Sequence, residues 1–238
     1  MKLDLTPPTV TEHTLFPETK EELKQMIQSE IEKNGNECSL NNIDVSKIED
    51  MSYLFHESTF NGDISYWDVS KVMNMRYMFA YSEFNGDISD WDVSRVIDMQ
   101  GMFCGSKFDD DISDWDVSNV KYMTAMFSGS QFNRDISKWD VSDVNYMHSM
   151  FTLSKFNKDI SRWNVSKVIT MERMFDESNF NGNISNWDVS KVANMIGMFR
   201  NSKFNKDISN WNVSNVINHR DMFDGSPLKD NKRFQPNF

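Results

Sequence analysis

The sequence predicts an α/β solenoid: a right-handed stack of coils with one parallel sheet and short helices, capped by an N-terminal helix. Three observations carry this expectation. Phe60, Phe84, Phe108, Phe132, Phe156, Phe180 and Phe204 recur every 24 residues. Trp67, Trp91, Trp115, Trp139, Trp163, Trp187 and Trp211 recur in the same register. Between them stand near copies of Phe-Asn-x-Asp-Ile-Ser-x-Trp-Asp-Val-Ser, preceded by a degenerate copy in which Ile43-Asp44-Val45-Ser46 replaces Trp-Asp-Val-Ser. A period in the twenties marks a solenoid, in which each unit buries its apolar side only against its neighbours.

The chain divides into an N-terminal segment with a capping helix (1–35), eight 24-residue repeats (36–227) and a C-terminal capping tail (228–238). Thr19-Lys20-Glu21-Glu22 has the form of a capping box, with Pro17 just upstream. Leu23, Ile27 and Ile31 follow at spacing four and Gly35 closes the segment, so residues 19–34 read as an amphipathic helix lidding the first coil. Within the first full repeat, Ile64, Trp67 and Val69 have the alternation of a half-buried strand. Ser70 stands where a helix N-cap belongs, and Val72, Met75, Met78 and Phe79 fall on one face of two helical turns. Gly105, Gly129 and Gly225 lie just past the corresponding helices, as left-handed C-terminal residues do. Together with Phe60, these positions make a ladder of eight inward residues per coil. The tail, polar except for Leu228, Phe234 and Phe238, is expected to cover the last coil.

Composition narrows the function. The 238 residues carry a net charge of −11, which disfavours nucleic acid and anionic membrane surfaces. No apolar run is long enough to span a bilayer. Met1-Lys2-Leu3-Asp4-Leu5-Thr6-Pro7-Pro8 lacks the apolar core of a secretory signal, and location stays open. Cys38 and Cys104 occupy different repeats and different places within them, so no disulfide framework is expected.

The repeat holds no catalytic constellation, so the chain reads as a non-enzyme without a cofactor. Its most tempting chemistry is two carboxylate ladders. One runs Asp63, Asp87, Asp111, Asp135, Asp159, Asn183, Asp207; the other runs Asp44, Asp68, Asp92, Asp116, Asp140, Asn164, Asp188, Asn212. Stacked carboxylates suit calcium. However, Asn replaces Asp in both, which suits an acceptor of backbone N–H bonds in a tight turn, and no metal is assigned. The Trp ladder could be an exposed aromatic platform, but Trp67 alternates with Asp68 and shares its side with Val69, which argues for core. A His–Met metal site at His219 and a nucleophilic Cys104 are the weaker readings, because no partner residues stand in register with them.

Val72-x-x-Met75-x-x-Met78-Phe79-x-x-Ser82-x-Phe84, with Ile64-x-x-Trp67-x-Val69 before it, resembles the BspA-type leucine-rich repeat. The Asn-Gly-Asp-Ile-Ser-x-Trp-Asp-Val-Ser wording is similar to a subfamily of these surface-protein repeats in host-associated bacteria and some large viruses. Phe16-Pro17-Glu18-Thr19-Lys20-Glu21-Glu22-Leu23 resembles what precedes the repeats there. The resemblance covers residues 36–227. It implies a leucine-rich-repeat solenoid, surface exposure, and roles in adhesion or protein binding, with no catalytic residues.

Variation between copies points to a binding face. The residue before each Trp changes freely: Tyr66, Asp90, Asp114, Lys138, Arg162, Asn186, Asn210. Asp110, Arg134 and Lys158 stand two residues after the repeat's starting Phe, at another variable position. An acidic block (Asp90, Asp109, Asp110, Asp114) therefore adjoins a basic one (Arg134, Lys138, Lys158, Arg162), a contrast that could orient a charged partner. The competing face is the predicted helix side, at Arg76-Tyr77, His148-Ser149 and Glu172-Arg173. The expected function is a protein-binding repeat module for adhesion, host interaction or assembly, with self-association open. The alternatives are a structural component of a capsid or surface layer, and a protein inhibitor of an enzyme with a basic site.

Overall fold

The computed structural model describes residues 12–238 and is a repeat solenoid. The Met1–Pro8 stretch lies outside the described residues. Helix α1 (Lys20–Asn34) begins on the capping box: Thr19 Oγ1 accepts from the Glu22 N–H, and Glu22 Oε2 accepts from the Thr19 N–H at 3.2 Å. Gly35, at φ 88°, ends it. The buried Leu23 and Ile27 seat the helix on the first coil, and Lys20 Nζ reaches Asp50 Oδ2 of that coil at 3.2 Å.

The eight inward positions are buried in every coil from Phe60 to the one that starts at Phe180; in the last coil Val216 and Phe223 are half-buried and His219 is exposed. Aromatic side chains stack on their own images one coil away. Phe79 and Phe103 are 5.8 Å apart at 5°, Phe60 and Phe84 6.2 Å at 5°, and Trp67 and Trp91 6.4 Å at 4°. The nearly parallel rings show that successive coils repeat the same side-chain geometry.

Neither the strand nor the helix of the expected repeat forms. Among the described residues, the coils contain turns and isolated parallel bridges, with no helix between α1 and Pro227. Parallel pairing runs one bridge per junction down the column Asp50, Asn74, Asp98, Tyr122, Tyr146, Thr170, Asn194, Asn218, with two more bridges at the start of the stack, Leu15–Ile43 and Ser39–Asp63, and none at Ile64–Val69. Among the described residues, no backbone bridge joins the Trp-bearing segments of successive coils. There the indole makes the inter-coil bond instead: Trp91 Nε1 donates to the Ile64 carbonyl (3.2 Å), Trp115 to Ile88 (3.0 Å) and Trp139 to Ile112 (3.0 Å).

The expected helix Val72–Phe79 is a ribbon of tight turns. The N–H groups of Met75, Tyr77, Phe79 and Tyr81 donate to Asp98, Gln100, Met102 and Cys104 in the next coil at 2.7–2.9 Å. Those of Met78, Ala80 and Ser82 donate locally, three residues back. Alternating between the two directions pairs this buried backbone, which a helix would have paired only with itself. A helix of seven or eight residues is marginal alone, whereas the cross-coil bonds repeat at every junction. The geometry requires two left-handed residues per coil, such as Tyr77 (φ 52°) and Tyr81 (φ 57°). Gly105, Gly129 and Gly225 do have positive φ, but at the second of these positions rather than as helix ends. Ser70 is no N-cap; its N–H donates to Asp68 Oδ1 at 3.1 Å.

At two of these positions glycine also makes room. A Cβ on Gly101 would lie 2.2 Å from the Tyr77 ring, and one on Gly105 2.4 Å from the Tyr81 ring, whereas on Gly129 it would meet nothing nearer than 3.8 Å. Gly101→Ala should therefore destabilise by about 1–3 kcal/mol more than Gly129→Ala, whose cost is the left-handed backbone alone. Urea unfolding of the two variants checks this; equal costs would show that Tyr77 swings aside freely.

The tail covers part of the last coil. Leu228 is buried, the Phe234 carbonyl accepts from the Ile208 N–H at 3.0 Å, and Phe238 stacks on His219 at 3.9 Å.

Candidate functional site

Both carboxylate ladders are turn acceptors. Oδ1 of Asp63, Asp87, Asp111, Asp135, Asp159 and Asp207 accepts the N–H of the Ser two residues on at 2.9–3.0 Å. Asn183 does the same at 3.1 Å. In the other ladder Asp92, Asp116, Asp140 and Asp188 accept at 3.0 Å, and Asn164 and Asn212 at 3.2 Å. A carboxamide oxygen serves here as well as a carboxylate, which explains the replacements. The Ser backbone N–H groups hold Asp111, Asp135, Asp159 and Asp207 below the usual carboxylate range. No group of three or more His, Cys, Asp or Glu side chains is placed to hold a metal ion among the described residues.

A third ladder has no role in the sequence reading. Asn61 Oδ1 accepts the Asn85 N–H (2.8 Å), Asn85 that of Asp109 (2.7 Å), Asp109 that of Asn133 (2.8 Å), and Asn133 that of Asn157 (3.0 Å). Its signal was the Asn after each starting Phe, replaced only by Asp109; its side chain replaces the missing backbone ladder on this side of the coil.

The isolated reactive groups are poorly placed for chemistry. Cys104 is half-buried with Sγ 3.7 Å from the Tyr81 hydroxyl, and burial pushes its thiol up, away from the thiolate a nucleophile needs. His148 is half-buried beside Thr124 Oγ1 (3.2 Å), and burial pushes its pKa down.

The variable column before each Trp is on the surface: Tyr66, Asp90, Asp114, Lys138, Arg162, Asn186 and Asn210 are exposed, one per coil, while the Trp ladder is 3–5% exposed. Arg134 and Lys158 are also exposed and lie on the same side; Asp110 is half-buried, its Oδ1 taken by the Asp111 N–H at 2.8 Å. The charged blocks are not both free. Stacking sets residue k beside residue k+24, so Lys138 Nζ meets Asp114 Oδ1 at 3.2 Å. The same spacing joins Lys107 to Glu83, Lys167 to Asp143 and Arg200 to Asp176. One residue off that register, Arg134 Nε meets Asp109 Oδ1 at 3.4 Å. Lys158 and Arg162 make no ion pair among the described residues. A shallow depression of about 690 Å³ is lined by Arg134, Lys158, Asp135 and Asp159, and one of about 350 Å³ by Lys138, Arg162, Asp140 and Asp159. The surface can therefore take a partner's carboxylates at Lys158 and Arg162, between carboxylates of its own.

On the turn side the structure assembles a cluster that sequence reading reached only at Tyr77. Tyr53 stacks on Tyr77 (5.2 Å, 24°), His56 lies 5.6 Å from Tyr53, and Tyr81 meets His56 edge-on at 6.0 Å. The signal was the in-register pair Tyr53 and Tyr77, together with the matching positions of Tyr77 and Tyr81 four residues apart.

Comparisons with curated proteins and with solved structures return no match. A family's sequence profile matches over residues 21–131, 81–179 and 152–235, spanning nearly all of α1 and the coils. The repeat architecture and this match agree, and the chain belongs to the family described as Mycoplasma protein of unknown function, DUF285.

Proposed function

We propose that the protein is a non-enzymatic repeat module that binds another protein, in adhesion, host interaction or assembly at a cell or particle surface. The observation that carries this reading is the column from Tyr66 to Asn210: it is exposed in every coil and varies freely beside an unvarying Trp ladder. Positions without packing duty that vary in charge on a rigid scaffold are suited to partner selection. The resemblance to BspA-type leucine-rich repeats supports the same reading and the surface location. The contact is centred on residues 108–179, where the unpaired Lys158 and Arg162 offer cations to an acidic patch of the partner.

The test begins with a pull-down from the native host, followed by association kinetics of the captured partner. Lys138→Glu with Arg162→Glu should leave the melting temperature nearly unchanged, since the one surface ion pair lost is worth about 0–1 kcal/mol. It should weaken binding mostly through slower association, and wild-type binding should fall with added salt. Loss of binding only in a Glu172→Lys, Arg173→Glu variant would place the partner on the turn side instead.

A further inference from the structure

We propose that the groove between α1 and the first coil is a binding site for a neutral saccharide, with the Tyr53 ring as its stacking platform. The groove measures about 630 Å³, within the usual span of small-ligand sites. Gln25, Gln28 and Ser29 of α1 line one wall; Tyr53, His56 and Ser58 line the other. Tyr53 is 42% exposed although one of its faces is covered by Tyr77. Its other face is turned toward the capped end of the stack, where the groove runs.

The platform is built to stay in place. Behind Tyr53, Tyr77 lies against the backbone of Gly101 and accepts a hydrogen bond at its hydroxyl from Gln100 Nε2 at 3.3 Å. On the helix wall, Gln28 Nε2 donates to Glu32 Oε1 at 2.6 Å, which fixes the amide and leaves its oxygen free to accept. Rings and amides ordered before binding lose little freedom when a ligand arrives.

The chemistry of the lining selects the ligand. A pyranose has an apolar C–H face, which fits an aromatic ring, and a rim of hydroxyls, which fits amides and serines. The charged lining residues, Lys24 and Glu32, cancel, so the groove gives a phosphate or sulfate no surplus of cations, and the net charge of −11 opposes one further. An apolar peptide finds less here: of the apolar residues that line the groove besides Tyr53, Ile27, Leu54 and Phe55 are buried, and Ile31 alone is half-exposed.

The experiment is a screen of the full chain on an array of neutral glycans, followed by calorimetric titration of the best binder. Tyr53→Gly is the diagnostic variant, because Tyr53 sits at φ 59°, where glycine keeps the backbone without strain. Saturable binding that Tyr53→Gly weakens at least tenfold, that Gln25→Ala with Gln28→Ala also weakens, and that Lys138→Glu with Arg162→Glu leaves unchanged is the expected result, with melting curves confirming that each variant is folded. Retention of no neutral glycan, or binding that survives both groove variants, overturns the proposal. So does capture by the groove of a peptide that no glycan displaces. The site lies at the N-terminal end of the stack, so none of these outcomes bears on the protein-binding column at 108–179.

Discussion

Trp139→Ala is expected to lower stability by about 3–5 kcal/mol, the scale for truncating a large buried aromatic side chain. The indole is 3% exposed, packs against Phe127 at 6.2 Å, and donates to the Ile112 carbonyl at 3.0 Å. Alanine would leave a cavity between two coils and an unpaired carbonyl on the side of the stack that has no backbone ladder. Trp139→Phe separates these effects. It keeps most of the ring and loses the bond, and should cost about 1–3 kcal/mol, the penalty for leaving one buried polar group unsatisfied. Urea unfolding followed by far-ultraviolet dichroism measures both; near-wild-type stability in the alanine variant would show that the Trp ladder does not hold the coils together.

Deleting residues 132–155, one full period, should leave a folded protein one coil shorter. Every junction is built from the same pairings, so the cut ends find partners of the right kind. Trp163 takes the Ile112 carbonyl that Trp139 held, and Asn157 takes the Asp109 oxygen that Asn133 held. Deleting only 132–143 sets Val144 where Phe132 stood and misaligns every later ladder, and should abolish the cooperative fold beyond the cut. A solenoid whose stability is a sum of nearest-neighbour terms behaves this way. Comparison of the two deletions by near-ultraviolet dichroism and limited proteolysis decides it; equal damage from both would mean that the coils are not interchangeable.

The period, the inward positions and the capping helix were legible because each rests on spacing alone. So was the turn role of the aspartates, since Asn replaces them in register. The secondary structure of the coil was not. Val72, Met75, Met78 and Phe79 fit one face of a helix, but the same spacing also fits a ribbon of turns whose N–H groups alternate between the local chain and the next coil. Glycines mark the left-handed positions in some coils (Gly101, Gly105, Gly129, Gly197), but Tyr53, Tyr77, Arg173 and Glu177 occupy them elsewhere and conceal the pattern. The strand reading of Ile64–Val69 failed for a different reason. Nothing in the sequence states that an indole N–H, rather than a backbone N–H, makes the inter-coil bond there. At the candidate surface, the exposed column was legible, whereas the pairing of Lys138 with Asp114 follows only once residue k is known to sit beside residue k+24.

The stacking of each coil on the next has a consequence for what the exposed column can recognise. One side chain per coil, from Tyr66 to Asn210, stands in register with its image 24 residues on, as Lys138 does with Asp114. The column is therefore a ruler with one mark per coil. A partner that touches several marks at once must carry its own contacts at the same pitch.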